Sequence, residues 1–344
     1  MQIDYFSPIR WQNNFLELID QRLLPDEEKW LSFNNSSEVA NAITDMVVRG
    51  APAIGITAAY GVVLSISQAS DSSWQSQLTS DLQVLSQSRP TAVNLFWALE
   101  RMQKTLASIG TRKEAYELAL ATAKAIHAED YSMNRQMAEY GAGLIESGSR
   151  VLTHCNTGAL ATGGHGTALG VIRTAWNQGK LKHVYANETR PWMQGSRLTA
   201  WELMQEGIPT TLQAESAAAL LMQAGKVDWF ICGADRIAAN GDTANKIGTY
   251  TMALLAKQFA VKVMVVAPSS TVDVSLASGN SIPIEQRSSV ELWRTASTKT
   301  PPENLEFFNP AFDVTPAHLI DVIVTEKGVF SKNDEDDFSS TLTI

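Results

Sequence analysis

The sequence predicts an α/β protein in which a Rossmann-like, doubly wound parallel sheet forms the C-terminal part and a smaller, mainly helical domain precedes it. Three observations predict this class. From residue 151 onward, short apolar runs alternate with helix-length stretches, the pattern of consecutive βα units. Runs such as Val227-Asp228-Trp229-Phe230-Ile231-Cys232 read as strands buried on both faces, the habit of parallel sheets. A chain of 344 residues also exceeds the usual size of one core, so two domains are expected: 1–127, mainly helical with a small sheet, and 128–344, Rossmann-like.

Residues 38–46 read as a helix, Arg49-Gly50-Ala51-Pro52 interrupts it, and helix restarts over 53–60 with proline in its first turn. Arg49 thus stands just before a helix N-terminus, where free N–H groups and the helix dipole favour an anion. Helical stretches 71–86 and 92–107 are divided by Gln87-Ser88-Arg89-Pro90-Thr91. Apolar positions at mixed three and four spacing make 112–145 one long helix or a helix pair, and the domain boundary is placed inside it. Strands follow at 151–155, 181–186, 210–213, 227–232 and 261–267, with helices at 167–177, 196–206, 217–224 and 247–259 between them. A last strand, 319–325, follows a proline-rich excursion over 283–316 that the sequence does not place.

Composition removes several classes of function. The net charge is −9 and no basic run forms a stripe for a nucleic-acid backbone, so no nucleic-acid partner is expected. Cys155 and Cys232 form no C-x-x-C pair, and Met1-Gln2-Ile3-Asp4-Tyr5 lacks a basic region followed by an apolar one, which reads as a reduced, cytoplasmic protein. The longest apolar runs, such as 261–268 with Lys262 inside it, fall short of a bilayer span, so no membrane partner is expected. Gly163-Gly164-His165-Gly166-Thr167-Ala168-Leu169 imitates a dinucleotide fingerprint, but Leu169 stands where a small residue belongs and the loop from Cys155 is too long. His154 has no second ligand at metal spacing. Neither nicotinamide cofactor nor zinc is expected.

In a parallel sheet the carboxyl ends of the strands converge on one rim, so polar residues there can meet around one small molecule. Cys155-Asn156-Thr157-Gly158, Asn187-Glu188-Thr189-Arg190, Gly233-Ala234-Asp235 and Pro268-Ser269-Ser270 all fall at such ends. Cys155 reads as a nucleophile or base, or as a small buried hydrophobe. Cys232 reads as the latter. Asp235 reads as a general acid whose pKa an apolar pocket would raise, or as a loop carboxylate capping a helix or pairing with Arg236. Asn245 and Lys246 would grip phosphate or hydroxyl groups, or be an N-cap and a solvated lysine. Gln194 lies in the aromatic and cationic loop 190–197, which reads equally as a packing lid, and Arg89 reads equally as a structural bridge.

Five blocks carry a family resemblance: Arg49-Gly50-Ala51-Pro52-Ala53-Ile54-Gly55, Arg89-Pro90-Thr91-Ala92-Val93-Asn94, residues 153–162 around Cys155, Asn187-Glu188-Thr189-Arg190-Pro191 with Gln194-Gly195-Ser196-Arg197, and 233–246 around Asp235. With 309–316 as an extension, the chain resembles the 5-methylthioribose-1-phosphate isomerases, a sugar-phosphate isomerase branch of the translation initiation factor 2B-like family. The resemblance implies that Arg49, Gly50 and Ala51 bind a sugar-phosphate substrate, that Arg89 and Gln194 contact it, and that Asn245 and Lys246 complete its site. It further implies that Asp235 is the proton donor, that Cys155 supports the reaction, and that the protein is a homodimer without cofactor acting in methionine salvage. Two other readings come with the family: a ribose 1,5-bisphosphate isomerase, and a non-catalytic regulatory subunit. Cys155 and Asp235 blocks occurring together argue for an enzyme.

Overall fold

In the computed structural model, residues 6–90, 92–293, 300–333 and 337–342 are described. Met1 to Tyr5, Thr91 of the second block and part of the 283–316 excursion lie outside them. The chain clusters into two compact units, Met1–Arg135 with Thr157–Gly166, and Gln136–Asn156 with Thr167–Ile344.

The first unit opens with an antiparallel three-stranded sheet, β1 (Ile9–Gln12), β2 (Phe15–Ile19) and β3 (Trp30–Phe33), in that order. Helices α1 (Ser36–Thr44), α2 (Ala51–Gln68), α3 (Trp74–Gln87), α4 (Val93–Leu106) and α5 (Arg112–Gly143) follow. The division between the units falls inside α5, which is one long helix rather than a pair. Asn35 caps α1 by accepting the Glu38 N–H at 2.9 Å. Helix α2 corrects the expectation that no apolar run approaches a bilayer span: it has 18 residues with a mean hydropathy of 1.3, and 78% of it is buried. Alanine, glycine and threonine break the run to the eye, yet from Ala53 to Ile66 every residue is buried, as in a core helix that is apolar all round.

The glycines of the stretch that imitates a fingerprint, 163–166, belong to this unit. Asp130 on α5 accepts the Gly163 N–H at 2.7 Å, and His127 lies 2.8 Å from the Gly163 carbonyl oxygen. A side chain at Gly163 would press on the His127 ring, so close packing accounts for that glycine. Burial pushes the Asp130 carboxyl up to about 7 against the pull of the Gly163 N–H and Asn134.

The second unit contains the expected doubly wound sheet: β4 (Ser149–Thr153), α6 (Ala168–Asn177), β5 (Leu181–Asn187), α7 (Ala200–Gln205), β6 (Thr210–Gln213), α8 (Ala218–Gln223) and β7 (Trp229–Cys232). Beyond β7 the chain makes β8 (Arg236–Ala238) and β9 (Thr243–Lys246), then α9 (Thr249–Gln258), β10 (Lys262–Val266), β11 (Val272–Asp273), α10 (Ser289–Trp293), β12 (Phe312–Thr315), β13 (Val322–Thr325) and β14 (Gly328–Ser331). The main sheet runs β14-β13-β10-β7-β4-β5-β6, parallel except for the edge strand β14. Alternate residues feed two cores. Val151, Trp229, Ile231, Met264 and Val266 pack with α6 and the end of α5, while Leu152, Phe230, Cys232, Val263 and Val265 pack with α8 and α9. The strands are covered on both faces, which is why they read as unbroken apolar runs.

A second sheet, β11-β8-β9-β12, was not foreseen. It absorbs the stretch after Asp235 and the end of the proline-rich excursion, because β12 returns to pair antiparallel with β9.

Candidate active site

Strand order reverses once inside the parallel sheet. From β4 the chain winds outward through β5 to β6, then returns to β7 on the other side of β4 and winds on through β10 to β13. Such a reversal leaves a crevice at the carboxyl ends of the two innermost strands, the position at which open α/β sheets bind ligands. Thr153 of β4 is level with Ile231 of β7. Cys155 comes two residues after the first and Asp235 four after the second, so the thiol and the carboxylate flank this crevice in the topology.

Cys155 is buried and its backbone is left-handed, with φ 61°. A non-glycine residue there is strained and persists only where its surroundings hold it, a condition found most often at functional sites. Two hydroxyls hold it. The Cys155 N–H donates to Thr189 Oγ1 at 2.9 Å, and Thr199 Oγ1 donates to the Cys155 carbonyl at 2.6 Å. Thr189 is itself left-handed at φ 66°. The sequence gives neither threonine a role of its own, although Thr189 stands in the polar loop at the end of β5, where hydroxyls commonly bind backbone groups.

Asp235 is half-buried. Its N–H donates to the Ala244 carbonyl at 2.9 Å, while Arg236 is the ladder partner of Ala244. Two consecutive residues therefore oppose one, the arrangement of a β-bulge, which bends a strand and re-aims a side chain beside many active sites. Arg236 lies 3.5 Å from Asp273, so its ion partner includes that residue.

Asn245 and Lys246 are strand residues of β9, not the cap of α9, whose N-cap is Gly248. Both are buried. Asn245 Nδ2 donates to Thr249 Oγ1 at 2.9 Å, and Lys246 Nζ donates to the Ala311 carbonyl at 2.9 Å while lying 4.4 Å from the Phe312 ring centroid. Asp313, level with Asn245, accepts the N–H groups of Gly248 and Tyr250 at the start of α9. Burial raises Asp313 to about 6, opposed by those N–H groups and by Lys246.

Gln194 is buried just before a π-helical turn, Gly195–Thr199, that leads into α7. A side chain at Gly195 would collide with the Asn187 carbonyl, so only glycine permits the loop to close on β5. Within the described residues Gln194 Oε1 and Trp192 Nε1 are buried without a hydrogen-bond partner. Orphaned polar atoms of this kind are uncommon and call for an explanation such as a ligand. π-turns likewise concentrate at functional sites.

His154, beside Cys155, has a structural assignment. Burial holds its pKa down against the Ile247 carbonyl, so the imidazole is neutral; Nε2–H donates to the Ile247 carbonyl at 2.9 Å and Nδ1 accepts from Asn187 at 3.1 Å.

In the first unit, Gly50 is the N-cap of α2 at φ 97°, with Arg49 before it and Ala51 opening the helix. A side chain at Gly50 would strike Ala161. Arg89 lies in the connection from α3 to α4. Thr44 Oγ1 at the end of α1 lies 3.3 Å from the Ser88 carbonyl oxygen, and Gly55 of α2 packs against Asn94 of α4. The starts of α2 and α4, each preceded by an arginine, are thus neighbours within this unit.

Comparison with known proteins fits this geometry. The model of the Initiation factor 2 subunit family matches residues 47–332. The methylthioribose-1-phosphate isomerase of Marinobacter nauticus is 56% identical over 322 residues, covering 93% of this chain and 92% of that protein. The crystal structure of 5-methylthioribose 1-phosphate isomerase from Pyrococcus horikoshii matches with a TM-score of 0.90 at 41% identity, over 96% of each chain. That of translation initiation factor eIF-2B, subunit delta, from A. fulgidus matches with a TM-score of 0.89 at 41% identity, over 98% of this chain and 100% of that one. The two solved structures carry different names at equal identity, so the branch is decided by the relatives of higher identity. The chain belongs to the initiation factor 2 subunit family and, within it, to the methylthioribose-1-phosphate isomerases.

Proposed function

We propose that this protein converts 5-methylthioribose 1-phosphate to 5-methylthioribulose 1-phosphate, the aldose–ketose step of methionine salvage. The observation that carries the reading is the pairing of a strained Cys155 and a bulge-mounted Asp235 at the two strand ends that flank the reversal of strand order.

Phosphate on the anomeric carbon prevents simple opening to an aldehyde, so the ring oxygen must be protonated for the C1–O bond to break. Asp235 supplies that proton. The resulting C1 cation then gains hydrogen from C2, and the C2 hydroxyl loses its proton to leave the ketone. Cys155 assists at C2, either by taking the hydroxyl proton during a hydride shift or by removing the C2 proton as a thiolate. C1 is reduced as C2 is oxidised, so the substrate balances its own redox change and the reaction proceeds without a cofactor. Arg49, Gly50, Ala51 and Arg89 bind the substrate through its phosphate, as the neighbouring helix starts of the first unit support. Gln194, with its orphaned oxygen, and Asn245 and Lys246 bind the sugar. The protein works as a homodimer in the reducing cytoplasm, where both of its cysteines stay free.

The test is turnover followed by phosphorus and proton NMR with 5-methylthioribose 1-phosphate and ribose 1,5-bisphosphate in parallel. Preference for the first is expected; preference for the bisphosphate, or no turnover of either, defeats the proposal. Repeating the reaction in heavy water separates the chemical routes, because a hydride shift leaves C1 unlabelled and proton exchange labels it. Arg89→Ala is expected to raise KM roughly tenfold or more with a smaller change in kcat, the loss of a charge-assisted phosphate contact.

A further inference from the structure

Two threonine hydroxyls hold Cys155, and one of them ends a buried polar chain. Thr199 Oγ1, which donates to the Cys155 carbonyl, lies 3.2 Å from Asn156 Nδ2, and the same Nδ2 lies 2.8 Å from Glu202 Oε1. The other Glu202 oxygen accepts from Arg173 Nη2 at 2.6 Å, and Arg173 Nε donates to Glu206 at 2.5 Å. Asn156 and Glu202 are each 2% exposed and Arg173 is 6% exposed, so these three members are shut away from water that could replace them, and only Glu206 reaches the surface. Burial works against the Arg173 charge, but Glu202 and Glu206 more than offset it and the guanidinium stays protonated.

The direction of every bond follows from the carboxylate. In its ion pair with Arg173 the Glu202 carboxylate is an acceptor, so Asn156 turns its NH2 group, not its carbonyl, toward it. The second N–H of that amide then points at Thr199 Oγ1 and occupies a lone pair there. The Thr199 hydroxyl hydrogen is left for the Cys155 carbonyl. A buried charge on α7 thereby sets the rotor of a hydroxyl that grips the strained residue at the end of β4.

We propose that Thr199 and Glu202 are positioning residues for Cys155: the chain from Arg173 through Glu202, Asn156 and Thr199 holds its left-handed backbone and so fixes where the thiol stands. The proposal rests on the catalytic reading of Cys155 given above. A loss of about an ångström in the placement of a reacting group costs up to about a hundredfold in rate, so the effect belongs in kcat.

The experiment compares Thr199→Val, which removes the hydroxyl at nearly constant volume, with Thr199→Ser, which keeps it. Thr199→Val is expected to lower kcat roughly ten- to hundredfold with KM within about twofold, and Thr199→Ser to retain most of the rate. In a Cys155→Ser background the penalty of Thr199→Val should vanish, because a residue that acts through the thiol has nothing left to position. Equal kcat in the two Thr199 variants, or an undiminished penalty in the Cys155→Ser background, overturns the proposal. Should Cys155→Ser itself turn over substrate like the unaltered protein, the catalytic reading of the thiol falls. Alkylation of native protein with iodoacetamide, read as the mass of the Cys155 peptide, then decides the positioning separately. Faster labelling in Thr199→Val and Glu202→Gln than in Thr199→Ser supports it, and equal rates overturn it.

Discussion

The end of β4 and the small sheet β11-β8-β9-β12 hold their candidate groups by opposite means. Cys155 stands on a left-handed backbone that side-chain hydroxyls from distant positions keep in place. Asp235, Asn245 and Lys246 stand on a backbone fixed by main-chain pairing, with Ala244 opposed by two residues and Asn245 level with Asp313. Side-chain changes near Cys155 should therefore disturb geometry as well as chemistry. Removing the Asp235 carboxyl should remove chemistry and leave the main-chain pairing intact.

Asp235→Asn gives the sharpest contrast and the largest expected effect. The bulge depends on the Asp235 N–H, which asparagine retains, so the thermal midpoint should stay within a few degrees while kcat falls roughly a thousandfold, the scale of a lost general acid. Unchanged turnover would make the small sheet a scaffold and leave the chemistry to the rim alone. Cys155→Ser should cost roughly a hundredfold in kcat, less than the acid because the thiol assists a step that Asp235 initiates. If the cysteine variant proved the more damaged of the two, the order of dependence would be reversed.

Lys246→Met comes next. It keeps the length of the side chain and removes its charge, so KM is expected to rise about tenfold with a smaller loss in kcat. The ammonium also donates to the Ala311 carbonyl and lies over Phe312, which adds a stability loss of about 1 kcal/mol that a melting curve would register. A stability loss without any change in KM would confine Lys246 to joining β9 to its neighbour.

The two regions also differ in how far the sequence announces them. Trp229–Cys232 is buried throughout, and its apolar run reads as a parallel strand without help from the rest of the chain. The helices between such strands follow from the same periodicity, and the crevice residues Cys155 and Asp235 follow from asking what stands at strand ends. The small sheet is silent for a physical reason. β8 and β11 have three and two residues, too few to show any alternation, and β9 becomes a central strand only through β12, some seventy positions away in sequence. One local signal was present: Asn240-Gly241, with Gly241 at φ 90°, marks the hairpin between β8 and β9. Thr199 and Glu202 were hidden because their roles depend on which groups meet in three dimensions. The lone Arg173 in the apolar stretch Ala168–Asn177 was the only sequence hint that a carboxylate must be buried opposite it.

Asp313 gives the smallest expected effect, on stability and not on rate. Burial raises its carboxyl from 3.8 to about 6, while the Gly248 and Tyr250 N–H groups and Lys246 pull the other way. The folded protein therefore binds this proton more tightly than the unfolded chain does. The stability linked to it is fully present below pH 3.8 and is lost as pH rises through about 6. Asp313→Asn cannot titrate, so its thermal midpoint relative to the unaltered protein should climb by a few degrees between pH 4 and pH 6 and then level off. Midpoints that run parallel across that range would mean that the N–H groups at the start of α9 already stabilise the carboxylate as fully as water does. The small sheet would then hold its charged groups without penalty, and the contrast with the strained end of β4 would be wider than the burial of Asp313 implies.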